Sequence, residues 1–249
     1  MDPLLTFAMA LAFCAIHVFV GKLRFLDVKP RSRWLSFAGG VAVGYVFLHI
    51  LPELAAHSET VSRATGLDEM AAEQVIYLLA LVGLASFYGI ERELVLSRGE
   101  REGDNPDAEA EAELFWPHIG LSAVLVMVIA YLLNHREDPT ATGLALYFGA
   151  MALHFVTADF GTRSNHRALY DSTGRWVLVA ATLAGWATGV LVALPELLIG
   201  CLFAFLAGAI TLVVLKEELP EDRRSRFIPF AAGGALYAGL VVLERVTAH

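Results

Sequence analysis

The chain has 249 residues, 57% of them hydrophobic and 18% charged, and a formal net charge of −8. Its mean hydropathy of +0.59 lies well above that of a soluble domain of this size. With 26 acidic residues against 18 Lys and Arg, and the acids gathered in loops, the composition also excludes a basic nucleic-acid-binding face. Cys14 and Cys201 both fall inside apolar runs; a pair is too few for a disulfide framework or a thiolate zinc site, and they read as packing residues.

Runs apolar enough to cross a bilayer fall at about 3–21, 34–53, 72–90, 115–134, 142–161, 176–194, 197–215 and 228–243. They predict an all-α polytopic bundle of eight spans, forming one membrane domain over 1–249. Helices 1–3 occupy 1–90, an acidic loop 91–114, helices 4–5 115–161, and a loop with helices 6–8 162–249. The N-terminal run lacks a basic leader and is followed by Lys22 and Arg24, so it is expected to be a retained span rather than a cleaved signal.

The second run carries Gly40 and Gly44, a small-xxx-small face that lets another helix approach closely, and ends in His49, Pro52 and Glu53. An ionisable group at membrane depth marks a functional position by default. The alternative is that His49, near a helix end, meets interfacial water. The segment 91–113 holds nine carboxylates and reads as a solvated charge run, with metal binding as the alternative. The segment 162–175 reads as a second loop, with His166 and Asp171 hydrated, metal binding by the two as the alternative, and Gly174 at a turn.

Orientation follows from Lys and Arg. With the N-terminus outside, fifteen of the eighteen basic residues fall in inner loops, leaving Arg63, Arg136 and Arg245 for the other face. An even number of spans then places both termini outside.

Laid on Pro52 and Pro220, the second and seventh runs match: FAGGVAVGYVFLHILPE against FLAGAITLVVLKEELPE. Gly40 falls on Gly208, Leu51 on Leu219, Glu53 on Glu221 and His49 on Glu217. Spans two and seven run in opposite directions, so spans 1–3 and 6–8 form an inverted pair around spans 4 and 5. Inverted repeats are typical of secondary transporters, which place their site between the halves.

Eight spans, a long loop after the third, FAGGV and FLHILPE in span two, LAGWATG in span six and FLAG and LKEELPE in span seven together resemble the ZIP (Zrt/Irt-like) family of divalent-metal transporters. The resemblance implies a 3+2+3 helix bundle in the plasma (inner) membrane. It also implies a homodimer that moves Zn²⁺ or a similar ion toward the cytosol as substrate, with no tightly bound cofactor and no enzymatic activity. In that family, span four carries His-(Asn/Ser)-x-x-(Glu/Asp)-Gly and span five His-x-x-x-Glu-Gly.

This chain departs from both patterns. With His118 as the span-four histidine, Ser122 stands in the carboxylate position; with His154 in span five, Ala158 stands where Glu is expected and Asp159 takes the Gly position. No span is read as offering His and carboxylate at i, i+4. His154 and Asp159 diverge by roughly 140° on a helix, so sharing an ion needs help from another helix. The expected metal ligands are His118, His154 and Asp159, with His17 or Glu217 as other sources of a third donor and His49, Glu53, Ser122 and Glu217 along the path. The alternative for each histidine is a hydrogen bond to a neighbouring carbonyl. Two other functions stay open: a transport-dead ZIP fold with a structural, sensing or lipid-contact role, and an intramembrane metal hydrolase, which the lack of an HxxxH pair disfavours.

Overall fold

The computed structural model describes residues 2–23, 33–99, 108–135, 140–218 and 226–247. Among these residues ten α-helices succeed one another: α1 Pro3–Phe19, α2 Arg33–Tyr45, α3 Leu51–Thr65, α4 Glu69–Gly99, α5 Ala108–Leu132, α6 Ala141–Asn165, α7 Arg167–Leu169, α8 Arg175–Leu191, α9 Glu196–Glu218 and α10 Phe227–Thr247. Strands are absent among the described residues.

Local chemistry sets several boundaries. Asp2 caps α1, its side chain accepting from Leu4 N–H at 2.9 Å with Pro3 at the first helical position. Thr140 caps α6 through Gly143 N–H at 3.0 Å, and Asp68 accepts from Ala71 N–H at 3.0 Å at the head of α4. Gly66 ends α3 at φ 74°, a left-handed conformation that favours glycine.

Between α2 and α3 the chain does not break. Val46–Ile50 forms a π turn in which Leu51 N–H reaches back to the Val46 carbonyl, so Arg33–Thr65 is one continuous helical run. Span two therefore extends twelve residues beyond its expected end at 53. A second π turn, Tyr170–Gly174, joins α7 to α8.

The segments expected as loops are also more helical than their composition suggests. The acidic 91–114 segment is entered by α4 as far as Gly99 and left by α5 from Ala108. The 162–175 segment is helical almost throughout. Gly174 is no turn: its φ is −54°, and a Cβ there would meet Phe115. His166 is buried with its ring 5.7 Å from that of Phe115, and Asp171 accepts from Arg163 through both oxygens at 2.6 and 2.7 Å. Neither residue is simply hydrated: His166 is buried against an aromatic ring, and Asp171 is held in a bidentate ion pair.

Among the described residues, seven helical runs are long and apolar enough to cross a membrane, and Phe227–Leu243 is a shorter apolar eighth. Polarity is arranged inside out relative to a soluble protein. Thr6, His17, His118, His154, Asp159 and Thr182 are buried, while Leu78, Leu81, Leu191, Leu236 and Leu243 are exposed. An apolar exterior around a partly polar interior is what a lipid solvent selects.

The inverted repeat is written in two helix crossings. α2 packs on α10, and α4 on α9. A Cβ added to Gly40 would collide with the Phe230 carbonyl and press on Gly234 N; one added to Gly233 would collide with the Phe37 carbonyl. In the other crossing, Gly208 meets the Ala80 carbonyl and Leu84 N, and Gly83 meets the Phe205 carbonyl. Phe37 and Gly40 thus correspond to Phe205 and Gly208 in the sequence alignment, and the partners Phe230, Gly233 and Gly234 correspond to Ala80, Gly83 and Leu84 with matching spacing. Two crossings that demand backbone-to-backbone contact at equivalent residues make the fold a 3+2+3 inverted repeat. The Pro220 half of the alignment lies outside the described residues.

A third close approach, of Gly185 to the Met127 carbonyl and Gly189 to Tyr131, brings α8 against α5. At that end, Trp186 Nε1–H donates to Thr6 Oγ1 at 3.1 Å and Thr6 Oγ1–H to Asn134 Oδ1 at 2.9 Å, tying α8, α1 and the end of α5 together. Leu194 N–H donates to the Tyr131 hydroxyl at 3.1 Å and fixes the short link between α8 and α9.

Candidate functional site

His118 stands a turn into the apolar part of α5, with Ser122 one turn further on the same face. His154, Ala158 and Asp159 lie on α6. All five line one cavity of about 40 Å³, closed by Phe87 of α4, Leu178 of α8 and Val213 and Lys216 of α9, with Thr162 and Asn165 further along α6. The structure thus brings together four of the residues singled out in the sequence, His118, Ser122, His154 and Asp159, in the centre of the repeat. Thr162, Asn165 and Lys216, near the ends of α6 and α9, place the cavity toward that end of the bundle. Lys216, Thr162 and Asn165 were not singled out. Lys216 was legible as a cation at the end of span seven, but the other two carry no local signal.

Most of these groups are shielded. His118, His154 and Asp159 are 7%, 1% and 4% exposed. His154 Nδ1 is buried without a hydrogen-bond partner among the described residues, a costly state for a polar atom. Asp159 is engaged: its Oδ2 lies 2.6 Å from His17 Nδ1, reaching across from α1. Among the described residues, no three His, Cys, Asp or Glu side chains stand close enough together to hold an ion. The cavity gathers donors without forming a finished chelate.

His49 and Glu53 are placed elsewhere. α2 and α3 contribute no residue to the cavity lining, although span two was expected to flank the path. The His49 ring stacks on Tyr45 at 5.1 Å, and its Nε2 lies 3.6 Å from Glu53 Oε2. This overturns the reading that no span offers His and carboxylate at i, i+4; the pair went unnoticed because Glu53 was taken as the end of its span, whereas the helix continues to Thr65. The side chain of Glu217 lies outside those described.

A membrane bundle of eight apolar helices in a 3+2+3 inverted repeat, with histidines and a carboxylate around a central cavity, has the architecture of polytopic ion transporters. The chain is 28% identical over 229 residues to the human protein "Zinc transporter ZIP13", covering 83% of this chain, and is a distant relative of the ZIP family. It spans 61% of the length of that relative. No family model matches the chain, and no solved structure matches it.

Proposed function

We propose that this chain carries a divalent cation of the zinc type across a lipid bilayer. His118 and His154 act as nitrogen donors, with Asp159 as the carboxylate and Ser122 as a weaker oxygen donor. The observation that carries the reading is the central cavity, where these four residues from two helices meet between the halves of the repeat. Its 40 Å³ exceeds the roughly 10–15 Å³ needed for one water, so an ion fits with much of its hydration shell replaced by protein. A partial donor set suits passage, which needs binding strong enough to strip water and weak enough to release the ion. The His49 and Glu53 pair and Glu217 are assigned to the approaches on either side of the cavity.

Zn²⁺ uptake into proteoliposomes tests this directly. Wild-type protein should accumulate the ion, and His154→Ala and His118→Ala, each with retained helicity, should each lower uptake by about tenfold or more, as loss of one of few donors implies. Uptake unchanged in both variants would sink the assignment.

One observation favours the transport-dead reading. Asp159 is already held by His17, and Lys216 is among the residues that line the same cavity, so a basic side chain stands in the wall meant for a cation. A wild-type protein that neither binds nor moves Zn²⁺ in the same assay would decide for it. No observation favours the hydrolase.

A further inference from the structure

His17 lies on α1, and no residue of that helix lines the cavity. It is nevertheless fixed on several sides. The residue is wholly buried, and its ring packs on Phe155 at 4.9 Å. Its backbone carbonyl accepts from the Tyr170 hydroxyl at 3.1 Å, and its Nδ1 sits 2.6 Å from Asp159 Oδ2. With Asp159 as the carboxylate, its oxygen accepts and Nδ1–H is the donor in this contact. At 2.6 Å the contact is shorter than the usual N–H···O separation of about 2.7–3.2 Å.

This contact answers a geometric problem. Five residues separate Asp159 from His154, which turns the two side chains roughly 140° apart on an ideal helix. Both nevertheless line the same cavity, and Asp159 is reached from outside α6 by His17 of α1, with the Tyr170 hydroxyl of the second π turn beside it. We propose that His17 is the positioning residue for Asp159: it grips Oδ2 from α1 and so presents the carboxylate to an ion in the cavity through the other oxygen. The role rests on the transport reading above. Groups that orient a ligating carboxylate without touching the ion are a general feature of metal sites, and their loss typically lowers affinity about 10- to 100-fold.

The nitrogen through which His17 acts can be read by substitution, because the Asn amide nitrogen mimics Nδ1 and the Gln amide nitrogen mimics Nε2. Zn²⁺ binding to the full chain in detergent and uptake into proteoliposomes are measured for wild type, His17→Leu, His17→Asn and His17→Gln. Leu is expected to raise the apparent KM about tenfold or more; Asn restores it to within about threefold of wild type and Gln does not. In the His17→Leu background, Asp159→Asn should add little, whereas in wild type it should cost as much as His17→Leu itself. Should the Leu variant fail to fold, the comparison of Asn with Gln decides. Rescue by Gln and not by Asn would show that His17 works through Nε2, and would overturn the proposal. So would unchanged binding in His17→Leu with wild-type transport intact. A wild type that takes no ion would instead overturn the transport reading, and this role with it.

Discussion

Substituting Ala at Gly40 or Gly208 places a Cβ well inside 3.0 Å of a carbonyl oxygen on the facing helix. The clashing atom belongs to backbone and cannot rotate away, so the helices must part by roughly 1 Å, enough to forfeit a quarter to a half of the dispersion energy of the atoms that separate. Overpacking of this kind costs about 1–3 kcal/mol, and a rigid obstacle puts it at the upper end. Against it stands about 1 kcal/mol gained from the better helix propensity of Ala, leaving a net loss of about 2 kcal/mol at each site. Because the two crossings are equivalent, Gly40→Ala and Gly208→Ala should be similarly damaging. Gly44, where a Cβ would lie 3.3 Å from the Tyr237 side chain, should come out near zero, and Gly149, with nothing within 4 Å, should be neutral or stabilised. Reversible unfolding of the detergent-solubilised protein by SDS, followed by circular dichroism, gives the ranking. A Gly40→Ala protein within about 0.5 kcal/mol of wild type, or a Gly149→Ala protein as damaged as Gly208→Ala, would refute the close-crossing argument.

Other substitutions probe separate contacts. Trp186→Phe keeps the ring beside Phe7 but removes the hydrogen bond to Thr6, and should cost about 0.6–1 kcal/mol in the same unfolding assay. Asp171→Asn breaks the bidentate pair with Arg163; the carboxylate side chain is 39% exposed, so the loss should stay near 1 kcal/mol and shrink in high salt. Ala158→Glu places a carboxylate one turn from His154 on the cavity wall, and should tighten Zn²⁺ binding about tenfold while lowering the stability of the metal-free protein. Calorimetric titration alongside thermal melts with and without Zn²⁺ separates those two effects.

Much of this was legible in the sequence. Gly40, paired with Gly44, announced a close crossing because a helix face that lacks Cβ atoms is visible in one dimension, and the alignment on Pro52 and Pro220 carried it to Gly208. His118, Ser122, His154 and Asp159 could be placed together because α5 and α6 are regular helices whose depth follows from counting residues. The His17 to Asp159 bond spans 142 positions and depends on how α1 rotates against α6, which local periodicity does not encode. The 162–175 stretch was mistaken for loop because its polar residues dominate its composition, while their partners, Arg163 for Asp171 and Phe115 for His166, are seen only in space. His49 and Glu53 were misjudged for the opposite reason: hydropathy falls after Pro52, but the helix does not stop there.

The π turn at Val46–Ile50 carries a consequence for how this protein tolerates changes in length. The buried face of the long second span runs through Ala42 and Val46 and resumes at Leu54, His57 and Val61. Nineteen residues separate Ala42 from Val61, which at 100° per residue would leave Val61 about a quarter-turn off the face. The wide turn absorbs one residue, and the remaining eighteen make five whole turns, so the stripe stays continuous. The turn is thus a one-residue reserve of chain. Deleting a residue within 46–50 can be accommodated by relaxing the wide turn to ordinary α-helix, with both halves of the face still pointing inward. The same deletion in the middle of α9, which has no such turn, would swing every later side chain by about 100° and empty half of its interface.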